Sequence, residues 1–235
     1  MEQNSCQDLI EAVKRGDIIC TIRLLGEGKD PNVRDEYGRT PLHYAVRYGP
    51  AMVRTLLRDG ADADVADDRG ETPLHIAALL GLDDVVKLLL IHEKRLNVNV
   101  QDDQGRTPLH EAVTWHHAST VSLLLLAGAD PNIRDNSGNT PLHRALLHMR
   151  RHMRDVVKML LEAGADPNAR NNEGKTPLHY AVLHNDPRLV SLLLRYGADP
   201  TIKDNNGQTP LDLARSRGKM KAVEAIAKKR PTLRT

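Results

Sequence analysis

The chain contains no phenylalanine, one tryptophan and two cysteines, and aromatic residues make up 3% of its 235 residues. Without Phe, any core must be aliphatic, built from Leu, Val, Ile and Ala. Two cysteines, Cys6 and Cys20, are too few for a disulfide framework, and two reduced, partly buried thiols are expected. No apolar run approaches the roughly 20 residues that span a bilayer. The opening "MEQNSCQDLIEAV" has neither the basic leader nor the apolar core of a signal peptide. An excess of one charge is missing too: 33 basic against 31 acidic residues leave +2, which does not point to nucleic acid as the main partner. Zinc spacings such as C-x-x-C and H-E-x-x-H are absent, as are the phosphate-cradling G-x-x-x-x-G-K-[ST] loop and the Rossmann glycine run. The expectation is a soluble cytoplasmic protein (or a nuclear one in a eukaryotic cell), with no cofactor, no metal and no membrane partner.

What the chain has instead is repetition. "TPLH" begins at Thr40, Thr72, Thr107, Thr140 and Thr176, and "TPLD" at Thr209, at intervals of 32, 35, 33, 36 and 33 residues. Before each lies a turn signature: "DEYG", "DDRG", "DDQG", "DNSG", "NNEG" and "DNNG". A divergent copy, "QDLIEAVKRGDIICTIRLLGEGKDPN", precedes them. Thr suits a helix N-cap, and Pro beside it suits the first helical position, where no donor is needed. Leu42, Ala45 and Val46 then give one apolar face, and Gly49 is placed to end that helix. Val53, Leu56 and Leu57 make a second helix with Gly60 beyond it. The D-x-x-G segment is turn chemistry, Asp bonding nearby amides and Gly allowing positive φ. Neither short helix could bury enough surface alone, so the units must stack.

This pattern closely resembles the ankyrin repeat family, whose T-P-L-H-x-A motif, period near 33 residues, β-turn and paired helices are its signature. The resemblance spans about residues 7–229. It implies an all-α repeat solenoid of stacked helix-turn-helix units joined by β-turn loops. We divide it as an N-terminal tail (1–6), one repeat domain (7–229, with units 7–39, 40–71, 72–106, 107–139, 140–175, 176–208 and 209–229) and a basic tail (230–235). The resemblance also implies that the motif histidines His43, His75, His110, His143 and His179 are structural, bonding around the Thr and the next unit's turn. No Ser or Cys nucleophile is left with a base that the repeat does not explain. Catalysis is not expected.

Positions free of scaffold duty form the candidate surface. In the family these resemble two stripes, the turn tips and the first-helix face on the concave side. The tip candidates are Tyr37, Arg39, Arg69, Gln104, Arg106, Asn139 and Lys175. The helix stripe comprises Arg47, Tyr48, Leu79, Leu80, Thr114, Trp115, Leu147, His148, Leu183 and His184. An apolar centre with an aromatic anchor and polar edges composes a protein–protein interface. The expected role is therefore a non-catalytic adaptor, scaffold or inhibitor module, monomeric on its own, that binds a partner protein or peptide with Trp115 as anchor. The competing reading is that these side chains lie against neighbouring helices and extend the core.

The period slips in three places: at "GPAM", at "IHEKRLNVNV", and by three residues between Ala145 and Val157, where His148 and His152 sit four apart among arginines. Two alternatives attach here. One is an accessory subunit whose patch of His116, His117, His148, His152 and His184 binds metal or senses pH. The other is weak nucleic-acid binding through this insert and the basic tail, including Lys228, Lys229 and Arg230.

Overall fold

A computed structural model describes residues 6–92, 96–147 and 153–228. Those residues form two compact units, divided between Ala129 and Asp130. In the first, the helices are α1 (Leu9–Lys14), α2 (Ile18–Gly26), α3 (Pro41–Ala45, continued by a 3-10 turn Val46–Tyr48), α4 (Pro50–Arg58), α5 (Pro73–Leu80), α6 (Asp83–His92), α7 (Pro108–Thr114) and α8 (Ala118–Leu126). In the second they are α9 (Pro141–Leu147), α10 (Met153–Glu162), α11 (Pro177–Leu183), α12 (Pro187–Arg195), α13 (Pro210–Ser216) and α14 (Met220–Lys228). Among the described residues there is no strand, and the expected seven helix pairs are all present.

Each TPLH motif starts its helix as the local chemistry requires. Thr40 sits in extended backbone before Pro41 at the first helical position. Its N–H donates to His43 Nδ1 at 3.0 Å, and its Oγ1 lies 2.9 Å from the same nitrogen. A nitrogen that accepts from an amide carries no proton, so the imidazole is the Nε2–H tautomer. That Nε2–H donates to the carbonyl of Glu71 in the next repeat, at 3.0 Å. His75, His143 and His179 repeat the arrangement onto the carbonyls of Arg106, Lys175 and Gln208. One side chain thus caps its own helix and ties down the following turn. The divergent first copy has no TPLH, and Asp8 and Asp17 cap α1 and α2 instead, accepting from Glu11 N and Cys20 N.

The narrow apolar faces meet as expected. First helices pack on first helices (α1 on α3, α5 on α7; separately α9 on α11 and α11 on α13), and second on second (α4 on α6, α6 on α8; α12 on α14). Leu42, Ala45, Val46, Val53 and Leu56 are fully buried, and so are Leu74 and Ala77, Leu109 and Ala112, Leu142 and Ala145, and Leu178 and Ala181 in later copies, while in the last copy Leu211 and Val223 are half-buried. Each buried Leu or Val contributes about 1.5–3 kcal/mol of transfer free energy. A third linkage, unforeseen from the motif, runs through the loops after the second helices. Asn32 Nδ2 donates to the carbonyl of Gly60 and its Oδ1 accepts from Asp62 N; Asn132 and Asn168 do the same one repeat on.

One expectation changes. Cys6 and Cys20 are not reduced thiols but a disulfide. Arg23 Nη2 donates to the Cys6 carbonyl at 2.6 Å, holding the segment before α1 over α2, so the cysteine Cα atoms come within 5.8 Å, a bridgeable separation. After the insert, α10 begins at the buried Met153, and Arg154 lies 3.5 Å from Asp186. His148 and His152 lie outside the described residues.

The turns stack closely enough that some of their glycines leave no room for a Cβ, Gly70 among them. Gly70 has φ +73°, and a Cβ there would meet the Cα of Asp102 at 2.9 Å, whereas at Gly60, φ +89°, it would meet nothing within 4 Å. Gly60→Ala is expected to cost only the left-handed strain, about 1 kcal/mol, and Gly70→Ala at least about 2 kcal/mol because backbone has to shift as well. Urea unfolding midpoints check the order; equal losses would show that the turns do not constrain each other.

Candidate functional site

The turn tips come first. Asp35 Oδ1 accepts from Tyr37 N and Arg39 N, and Asp67, Asp102, Asp135, Asn171 and Asp204 repeat this closure. Tips are then linked by backbone: Asp68 N donates to Tyr37 O and Asp103 N to Arg69 O in the first unit, and Asn172 N to Ser137 O in the second.

The second oxygen of each turn carboxylate is answered differently. Tyr44 OH donates to Asp35, Arg39 Nε to Asp67, Arg106 to its own Asp102, and Arg144 to Asp135. Asn171 instead donates to Tyr180 OH and to Asn139 Oδ1. Asp204 Oδ2 is buried without a partner among the described residues. Burial pushes the Asp67 carboxyl up, but the Arg39 guanidinium and the Arg69 and Glu71 amides outweigh it and hold the group below the usual range.

These contacts sort the seven tip candidates. Tyr37, Arg69 and Gln104 are exposed at the tips. Asn139 is not: it is buried at 6% exposure, under the next turn. Arg39 and Arg106 are committed to buried carboxylates. Lys175 lies 2.5 Å from Glu173 and above the Tyr180 ring. The position before each motif Thr is a spacer between turns, so residues there brace the scaffold. Removing the Arg39 side chain would leave Asp67 short of a donor, and Arg39→Ala is expected to cost about 2 kcal/mol, read as a lower unfolding midpoint; an unchanged midpoint would show that Asp67 finds other support.

The helix stripe divides as well. In the first unit Arg47, Tyr48 and Trp115 are exposed, while Leu79, Leu80 and Thr114 are half-buried. In the second, Leu147 and His184 are exposed and Leu183 is half-buried; His148 lies outside the described residues. Tyr48 OH donates to the Lys14 carbonyl. Trp115 is 55% exposed yet fixed: it caps α7, and its Nε1 donates to Glu111 Oε2 at 3.2 Å. Glu111 is itself buried, with Arg106 Nη1 2.8 Å from its Oε1. Burial, opposed by Arg106, leaves its carboxyl above the usual range.

Two histidines of the accessory-subunit alternative do other work. His117 Nε2 meets the Leu79 carbonyl at 3.0 Å and His184 Nε2 the Leu146 carbonyl at 2.5 Å. Among the described residues no three His, Cys, Asp or Glu side chains are placed to hold a metal ion, and no helix is long and apolar enough to cross a membrane. The residues facing the groove between α3 and α5, Tyr44 and Ile76, were not among the candidates. A signal was available, since the fourth position after the motif Thr varies as freely as the stripe: Tyr44, Ile76, Glu111, Arg144, Tyr180, Leu213.

Comparison with known proteins agrees with this geometry. A family model described as ankyrin repeats (3 copies) matches residues 9–102 and 82–171, and one described as ankyrin repeats (many copies) matches residues 154–214. An ankyrin repeat protein of Pyrobaculum aerophilum is 51% identical over 39 residues, 17% of this chain and 15% of that relative, so only a small part of its length is spanned. Among solved structures, the ankyrin repeat domain of Bcl-3, described as a unique member of the IkappaB protein family, superposes with a TM-score of 0.83. Identity there is 32%, over 96% of this chain and 100% of that one.

Proposed function

The chain belongs to the ankyrin repeat family, and on that premise we propose that it is a non-catalytic module that captures a partner protein or peptide on the exposed ends of its first helices, with the turn tips as a polar rim. The observation that carries the reading is Trp115, a large aromatic side chain that is 55% exposed and yet immobilised by Glu111. An exposed rotamer held in advance gives up little conformational entropy on binding, and Trp anchors of this kind dominate interface energetics. Tyr48 in the same unit, and Leu147 in the other, are exposed apolar side chains at corresponding helix ends. The half-buried Leu79, Leu80 and Leu183 support the flanks more than the contact itself. The motif histidines and turn carboxylates, the groups a catalyst would need, are engaged in capping and turn closure.

The test is affinity capture from the source cell with wild-type chain, Trp115→Ala and Leu147→Ala. Trp115→Ala is expected to weaken capture by about tenfold or more, the size of a hot-spot truncation, while the chain stays folded with a small drop in its melt, because Glu111 loses one donor and keeps Arg106. Undiminished capture by Trp115→Ala would overturn the reading.

A further inference from the structure

The first unit contains a groove whose charges do not cancel. Between α3 and α5 a cavity of about 440 Å³ is lined by Tyr44, Arg47, Arg69, Glu71, Ile76 and Leu79, with Arg39 and His43 behind them. Arg39 is spent on Asp67, 2.9 Å away, and on Glu71, 3.6 Å away. His43 is consumed by the cap and the Glu71 carbonyl, and burial holds it neutral. What remains is Arg47 and Arg69, both exposed, and neither is paired with a carboxylate of the described residues.

That pairing of positions is local. Where Arg47 stands, the other motif copies have Leu79, Thr114, Leu147, Leu183 and Ser216; where Arg69 stands, the other tips have Tyr37, Gln104, Ser137, Glu173 and Asn206. The chain as a whole is nearly neutral at +2, so two unanswered guanidiniums over one groove are not a by-product of general basicity. A second recess of about 240 Å³ adjoins it, sharing Tyr44 and Arg69 and reaching the tip at Tyr37 and Asp68. Together the two recesses lead from the turn tip to the helix end.

We propose that this groove binds an acidic peptide segment of a partner protein, with carboxylates on Arg47 and Arg69 and an apolar side chain between them seated on Ile76 and Leu79. Guanidinium forks match carboxylates bidentately. The floor supplies the apolar contact that charge alone would lack. A nucleic-acid backbone fits less well, because Glu71 and Asp68 stand on the walls and would repel a continuous row of phosphates. The proposal rests on the interaction reading above and adds the chemistry of the partner.

The test pans a display library of random short peptides on the full chain, then titrates the most enriched peptide by fluorescence anisotropy at low and high salt. Enriched sequences are expected to carry Asp or Glu on both sides of an apolar residue, and binding is expected to weaken with salt. Arg47→Gln with Arg69→Gln is expected to weaken it by about tenfold or more, the loss of two charge-assisted contacts. Both side chains are exposed, so the double variant keeps its melt. Neutral or basic enriched sequences, undiminished binding by the double variant, or displacement of the peptide by a single-stranded oligonucleotide would each overturn the proposal. If partner capture depends on Trp115 while the arginine variant changes nothing, the acidic-peptide inference falls and the interaction reading stands. If capture is indifferent to Trp115 as well, both fall.

Discussion

Acidification from neutrality to about pH 4 is expected to remove about 3 kcal/mol of stability through His143 alone. Burial takes its imidazole from an ordinary value of 6.5 down to about 4, against the opposing pull of the Lys175 and Ala169 backbone groups. The geometry makes the neutral form obligatory: Nδ1 accepts from Thr140 N at 3.2 Å, and Nε2–H donates to Lys175 O at 3.1 Å. Protonation would set a proton on Nδ1 against the amide hydrogen that now points at it. Between pH 6.5 and about 4 the unfolded chain therefore binds the proton and the folded chain does not. Stability is fully present above 6.5 and is lost as the pH falls toward 4. His179, lowered by burial in the same unit, adds in the same direction.

The first unit is a less clean reporter. His43 and His75 are lowered there too, but burial raises Glu71 and Glu111, which then take up protons in the folded state and act with the opposite sign. Urea unfolding of the full chain across this pH range, beside His143→Asn, measures the effect. The variant should lose the part of the slope due to this residue, and imidazole NMR should show His143 neutral until near pH 4. A His143 that titrates near 6.5 would contradict the account.

Why some of this was legible in the sequence, and some not, follows from the range of the interactions. Thr, Pro and His in TPLH act within one helical turn, and Asp five and Gly two residues before the Thr act within one β-turn, so their spacing alone predicts caps, turns and the number of helices. The same logic misplaced Asn139, because its burial comes from Asn171 in the next repeat, 32 residues away. It could not foresee that Arg39 reaches Asp67 while Arg106 folds back onto Asp102, since the two positions read alike locally. Leu79 and Trp115 stand in neighbouring columns of the motif, yet one is half-buried and the other exposed, a difference set by packing and not by pattern. The Cys6–Cys20 bridge was lost for the same reason: only the docking of the N-terminal segment over α2, through Arg23, brings the two together.

Asp212 offers a second test of the histidine linkage, because it occupies the motif histidine's place in the last copy. It caps as well as histidine does: Thr209 N and Oγ1 donate to its Oδ2 at 3.1 and 2.7 Å, and its own N–H donates to Thr209 Oγ1 at 3.2 Å. The Thr209 hydroxyl and amide hold its carboxyl below the usual range. Among the described residues that side chain reaches no following turn and stands in solvent. Aspartate therefore supplies the first half of the histidine's role and lacks the second. At position 143 both halves are in use, in a site with no solvent exposure. His143→Asp is accordingly expected to cost about 4 kcal/mol, from a buried carboxylate and a Lys175 carbonyl left without its donor. His143→Asn keeps the cap and a neutral side chain but not the link, and should lose about half as much. The reciprocal Asp212→His is expected to leave the unfolding midpoint where it is. If His143→Asp and Asp212→His shift the midpoint equally, the inter-repeat bond is worth nothing, and the histidine is retained by the cap alone.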